Sequence, residues 1–252
     1  MKKKLLIIIP LALFVICAGA LGIYYIAKSP VAPVPQVDCA EVMRTETFIT
    51  PSGATLLYRV YVPEGNDEAY PLVLFLHGSG QRGSDNLAQV TQTSSILYPL
   101  LERREEYPCV VIAPQCPADE WWDAAQLMAL LEHVKKEQPV DAARIYVTGL
   151  SMGGYATWDL LAEYPDYFAA AVPICGGTDP EIAPLIGHIP IWVFHGKWDF
   201  TVKTKYSRDM VKALEAVGGN VKYTEYPWEM HESWVKAYRE PELFPWLFGQ
   251  AR

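Results

Sequence analysis

Cysteine is scarce and badly placed in this chain. One of its five lies in the amino-terminal apolar run, leaving Cys39, Cys109, Cys116 and Cys175. None of the four has a metal-site spacing, which argues against a cysteine-built zinc centre and leaves buried thiols as the default. Cys109 and Cys116 bracket an extended apolar stretch, so their Cα atoms are expected well beyond the roughly 7 Å that a disulfide spans. A Cys39–Cys109 bridge stays open. Positive charge is also short: 21 Lys and Arg face 29 Asp and Glu, for a net charge of −8. Residues 1–30 hold four lysines and no acid, so the remainder carries −12. Such a body repels phosphate backbones and anionic lipid surfaces, which excludes nucleic acid as an expected partner. Internal repeats are absent, and nothing marks a second domain.

What is abundant is apolar. With 51% hydrophobic residues over 252, the chain can fill one sizeable core. Three lysines precede an uncharged run from Leu5 to Ala27, closed by Lys28. Residues 1–28 read in two ways, as a membrane anchor or as a cleaved signal peptide with Ala18-Gly19-Ala20 at the cleavage site. Either puts the body outside the cytoplasm, with any membrane contact confined to this segment. A lipoprotein reading fits poorly, since Ile16 precedes Cys17. Residues 29–40 read as a proline-rich linker and 41–252 as the folded domain.

In that domain "TETFITPSG" and "ATLLYRVYVPEG" predict a hairpin turning at Ser52-Gly53. "PLVLFLHGSG", "CVVIAPQ", "RIYVTG", "AAAVPICGG", "IPIWVFHG" and "VKYTEYP" predict further strands, most of them apolar throughout as doubly covered strands are. Helices are expected over Ala124–Gln138, Tyr155–Tyr164 and Lys203–Val217. The alternation predicts an α/β fold with a mostly parallel sheet, helices on both faces and an antiparallel amino-terminal hairpin. Chemistry in such sheets gathers beyond the carboxyl ends of the strands.

Three strand ends carry suggestive residues. "GLSMGG" sets Ser151 between Gly149 and Gly153, with a strand leading in and a helix leading out, the setting of a nucleophile elbow. A serine needs a base. Along this architecture the order is Ser, acid, His, and Asp199 in "VFHGKWDFTV" leaves His231 in "YPWEMHESW" as the downstream imidazole. Asp179 is the rival acid. Glu229 is too near His231 in sequence and reads as solvating its loop. His77 and His195 read as loop braces, His133 and His188 as solvated or satisfied. The N–H groups of Met152 and of Ser79 in "HGSGQRG" are the expected oxyanion donors. Trp121, Trp122 and Trp228 stand in loops near strand ends and could form a platform for a sugar or aryl group.

"LHGSGQRGSDN", "APQCP", "RIYVTGLSMGGYATW", "FHGKWDFTV" and "MHESW" together resemble serine esterases of the α/β-hydrolase superfamily. The likeness is to the phospholipase/carboxylesterase and polyhydroxybutyrate-depolymerase-like branch, which includes feruloyl and acetyl esterases. It spans about residues 45–250 and implies Ser151 as nucleophile, Asp199 as acid and His231 as base. Relatives often carry proline soon after the DxxV string, where this chain has Lys203. The resemblance implies hydrolysis of small-molecule or polysaccharide-linked esters with no metal or organic cofactor. The segment "TDPEIAPLIGH" leaves little room for a lid, so an open site is expected. Two alternatives share the pattern: a prolyl-oligopeptidase-like peptidase, and a non-catalytic surface binding protein.

Overall fold

The computed structural model describes residues 36–65 and 69–252. The expected leader and residues 29–35 of the expected linker lie outside these. Among the described residues no helix is long and apolar enough to cross a membrane. The linker expected to reach residue 40 gives way sooner: the Asp38 side chain accepts the Ala40 N–H and caps a helical turn, Cys39–Val42, whose Cys39 is buried. A capping aspartate ahead of two inward-facing residues, Cys39 and Met43, ties this end to the core.

Eight strands form one sheet: β1 (Arg44–Ile49), β2 (Thr55–Tyr61), β3 (Tyr70–Leu76), β4 (Val110–Gln115), β5 (Val140–Leu150), β6 (Ala170–Ile174), β7 (Ile191–Gly196) and β8 (Val221–Tyr226). Their order is β1-β2-β4-β3-β5-β6-β7-β8. The β1–β2 and β2–β4 pairings are antiparallel and the rest parallel. The expected hairpin turns at Gly53, whose φ of 86° is open to glycine at no steric cost. β4, β6 and β7 are buried along their whole length and β3 from Pro71 onward, the physical meaning of their unbroken apolar runs.

The order contains a switch point. β3 pairs with β4 on one side and β5 on the other, so the loops leaving β3 and β5 part and open a crevice at their carboxyl ends. Leu76 and Gly149, the last paired residues there, bring the "HGSGQRG" loop beside the Ser151 turn.

Helix Ala124–Glu137 begins where Asp123 accepts the Gln126 N–H and buries Leu127, Leu130, Leu131 and Val134. Helix Lys205–Ala216 ends where Gly219 N–H reaches back to the Leu214 carbonyl. The third, Met152–Glu163, starts three residues before the expected Tyr155. Gly153 and Gly154 lie within its first turn, where the helix packs backbone against backbone. A Cβ on Gly153 would overlap the Leu76 carbonyl, and one on Gly154 the Ile174 carbonyl. Neither obstacle is a side chain that can swing aside. Gly153→Ala is therefore expected to cost about 3 kcal/mol, the upper end of overpacking penalties. The urea midpoint measures it; an unchanged midpoint would show that the helix can shift.

Candidate active site

β5 ends at Leu150 and the helix begins at Met152, so Ser151 alone makes the turn, at φ 54° and ψ −115°. That is a strained region for a residue with a Cβ and costs about 1–3 kcal/mol. The Ser151 N–H holds it by donating to the Ile174 carbonyl at 3.0 Å. The result lifts the side chain off the sheet edge. His231 Nε2 lies 2.9 Å from Ser151 Oγ, and His231 Nδ1 lies 2.7 Å from Asp199 Oδ2.

Asp199 follows β7 in a tight turn. Its Oδ1 accepts the N–H groups of Thr201 and Val202, each at 2.8 Å. Burial works to raise its pKa, but hydrogen bonds from His195, His231 and the Val202 amide outweigh it, and the carboxyl is held well below its usual range. The turn bearing Asp199 and the loop bearing His231 are tied together, since Trp198 N–H donates to the Glu229 carbonyl at 3.0 Å. Trp234 presents an edge to the His231 ring at 5.2 Å and anchors itself through Nε1 to Ser94 Oγ. Glu229, read as solvating the loop, is instead buried and paired with Lys236. The short helix Trp234–Ala237 brings that lysine, seven residues on, back to it. Asp179, the rival acid, is exposed and caps its own short turn by accepting the Glu181 N–H.

Gly78 lies against the Leu150 side chain, and Ser79 opens a single 3-10 turn, Ser79–Gln81. Among the described residues neither the Ser79 nor the Met152 N–H has a protein acceptor. His77 braces this loop from below: Nδ1 donates to the Gly78 carbonyl at 2.6 Å and Nε2 accepts the Cys116 N–H at 3.0 Å. Burial is the main cause that brings its pKa down to about 4, so the ring is uncharged.

The three tryptophans part company. Trp122 is buried, with its ring 4.7 Å from His77 and its Nε1 donating to the His77 carbonyl, so it supports the loop and offers no face to substrate. Trp121 is exposed and packs its edge on Tyr155, one turn from Ser151. Trp228 is 73% exposed. Trp198 and Phe200, which flank Asp199, and Met230, beside His231, are exposed too. Their signal was present in "KWDFTV" and "WEMHE": a polar catalytic candidate between large apolar residues in a loop. A cavity of about 800 Å³, lined by Tyr61, Tyr70, Arg104 and neighbours at the amino end of β3, contains none of these groups.

Cys175, at φ 41°, lies beneath the group; its Sγ, an Asp199 oxygen and a His231 nitrogen all fall within 4.8 Å of one another. Burial pushes its thiol far up, so it is a packing group here. The four cysteines are free and buried, so the open Cys39–Cys109 bridge is not formed.

Among known proteins, the prolyl oligopeptidase family matches over residues 120–192. Poly(3-hydroxyalkanoate) depolymerase C of Paucimonas lemoignei is 30% identical over 142 residues, 53% of this chain and 34% of that protein. Probable acetylxylan esterase A of Neosartorya fischeri is 26% identical over 171 residues, 60% of this chain and 44% of that one. The solved structure of a thermostable esterase aligns with a TM-score of 0.78 at 40% identity, over 85% of this chain and 64% of the other. The chain has the α/β-hydrolase fold. It spans about a third of the depolymerase's length and under half of the acetylxylan esterase's.

In this fold the linked hydroxyl, imidazole and carboxylate can move a proton from Ser151 Oγ to His231 while Asp199 steadies the imidazolium. A helix N-terminus directly after the serine faces the place where negative charge would develop.

Proposed function

We propose that this α/β-hydrolase is an extracytoplasmic serine carboxylesterase, with residues 1–28 as leader, 29–38 as linker and the rest as catalytic domain. The observation that carries the reading is the unbroken contact from Ser151 Oγ through His231 to Asp199, at 2.9 and 2.7 Å. In the first step Ser151 Oγ attacks the ester carbonyl carbon as its proton passes to His231 Nε2. The oxyanion is held by the N–H groups of Ser79 and Met152. The C–O bond to the alcohol then breaks, and His231 returns the proton to the departing alkoxide. Water, deprotonated by the same nitrogen, attacks the acyl-Ser151 carbonyl carbon; the bond from that carbon to Ser151 Oγ breaks, His231 returns the proton to Oγ, and the carboxylic acid leaves.

The surroundings support short or aryl acyl groups, including those attached to polysaccharide. Between β6 and β7 stand only a 3-10 turn, Pro180–Ile182, and a four-residue helix, Ala183–Ile186, too little for a lid. Trp121 and Trp228 offer exposed rings for a sugar or aromatic group. An open site buries little of a long tail and forgoes about 0.8 kcal/mol for each methylene left in water. Acetyl and feruloyl esters are therefore expected to give higher kcat/KM than chains beyond about eight carbons. A steady rise with chain length would overturn this.

The match to the prolyl oligopeptidase family supports a second reading, a serine peptidase. Purified protein offered p-nitrophenyl acetate and a proline-linked chromogenic peptide distinguishes them. Faster cleavage of the peptide would favour the second.

A further inference from the structure

A second imidazole rests on the acid. Asp199 Oδ2, the oxygen that binds His231, also lies 3.2 Å from His195 Nε2. The same Nε2 is 3.0 Å from the Val202 carbonyl. A ring nitrogen facing two oxygen acceptors must carry hydrogen, so His195 donates here. Its Nδ1 then accepts the Ser207 hydroxyl, 2.7 Å away, and Ser207 Oγ stands 3.4 Å from the Gly176 carbonyl. His195, Asp199 and Ser207 are all buried. The rotamer of the carboxylate is thus fixed from behind by a ring that is itself held on both nitrogens.

We propose that His195 is a positioning residue whose Nε2–H, by sharing Asp199 Oδ2 with His231, sets how far into acid the protein keeps its activity. The proposal rests on the serine-hydrolase reading above. An oxygen that already accepts one charge-assisted hydrogen bond offers a weaker field to the next donor. Without His195, Oδ2 would face His231 alone, hold its protonated form more firmly, and shift the loss of activity to higher pH. The other groups around the pair leave this effect to His195. The amides of Thr201 and Val202 occupy Oδ1. Cys175, from the loop after β6, is kept protonated by burial, as is the Tyr155 phenol on the helix after Ser151. On the His231 loop, Glu229 is paired with Lys236, and Trp234 contributes an uncharged ring edge. Lys197, two residues before Asp199, is directed over the Trp198 ring.

The test compares two full-length variants. His195→Gln keeps an N–H donor, whereas His195→Met keeps similar length without one. The readout is kcat/KM for p-nitrophenyl acetate against pH. The glutamine variant should retain the wild-type acid limb, and the methionine variant should move it up by about 0.5–1 pH unit. A methionine variant that is slower but has an unmoved limb would reduce His195 to packing and overturn the proposal. Should that variant not fold, the wild type decides by proton NMR: the His195 Nε2–H resonance should shift with the same midpoint as the acid limb. A resonance indifferent to pH across that range would also overturn it. In an inactive protein the comparison is with the midpoint of the His231 ring-proton resonances, so inactivity would sink the esterase reading while the clamp is still tested.

Discussion

Ser151→Ala is expected to hydrolyse p-nitrophenyl acetate about 10⁴–10⁶-fold more slowly than wild type, with an unchanged urea midpoint. The size of the loss follows from the geometry. His231 Nε2 has Ser151 Oγ as its hydroxyl partner at 2.9 Å, and alanine leaves it nothing to deprotonate but water. The unchanged midpoint follows as well. The Ser151 side chain does not cap the helix that follows it, and the strained φ of 54° is borne by serine and alanine alike. Measurable residual activity is expected, because the proposed oxyanion donors, the N–H groups of Ser79 and Met152, belong to the backbone and survive the substitution. A mutant as active as the parent would defeat the serine mechanism. One that merely unfolds would say nothing of chemistry, which is why circular dichroism accompanies the assay.

Asp199→Asn should lower kcat about 10³–10⁴-fold although nothing larger than an oxygen has changed. The N–H groups of Thr201 and Val202 both point at Oδ1, so the asparagine amide must place its oxygen there. Its NH₂ then occupies the Oδ2 position, facing His195 Nε2–H and His231 Nδ1. His231 can accommodate a donor by moving its own proton to Nε2. That tautomer gives Ser151 a hydrogen it cannot use. Two N–H groups, from the new amide and His195, would also meet head on. The same carboxylate contributes to acid stability in wild type. Its folded pKa is depressed, so its contribution is full above about pH 4, the unfolded value, and fades as pH falls toward the folded one. The asparagine variant should therefore start from lower stability near neutrality and lose less of it on acidification, as urea midpoints across that range would reveal. Equal acid sensitivity in both proteins would sink the second part of this expectation.

How much of this could be read from residues alone depended on whether the signal was periodic. Strands buried on both faces announce themselves, because the run "PLVLFL" has no polar position to spare. The convergence of Ser151, Asp199 and His231 was legible for a related reason. Each stands just past a strand end, and parallel strands deliver their ends to one edge. Single-turn helices such as Ala88–Thr91 and Trp234–Ala237 left no trace, since four residues complete barely one turn. "WW" was ambiguous: in extended chain neighbouring side chains face opposite ways, and the sequence does not say which tryptophan turns inward. His195 read as a loop brace because it precedes a glycine at a strand end, and that pattern does not say which group the ring braces. Only a turn folded back on itself puts that ring against the carboxylate. Glu229 hid its partner in the same way, with Lys236 on a helix too short to foresee.

The four sealed sulfhydryls make the molecule its own clock. Cys39, Cys109, Cys116 and Cys175 sit in different parts of the core, each held protonated by its surroundings. A thiol-reactive dye added to the native protein has nothing to label among them until the chain opens. The rate at which colour develops then counts openings, and the order in which the four sites react would map which part of the sheet parts first.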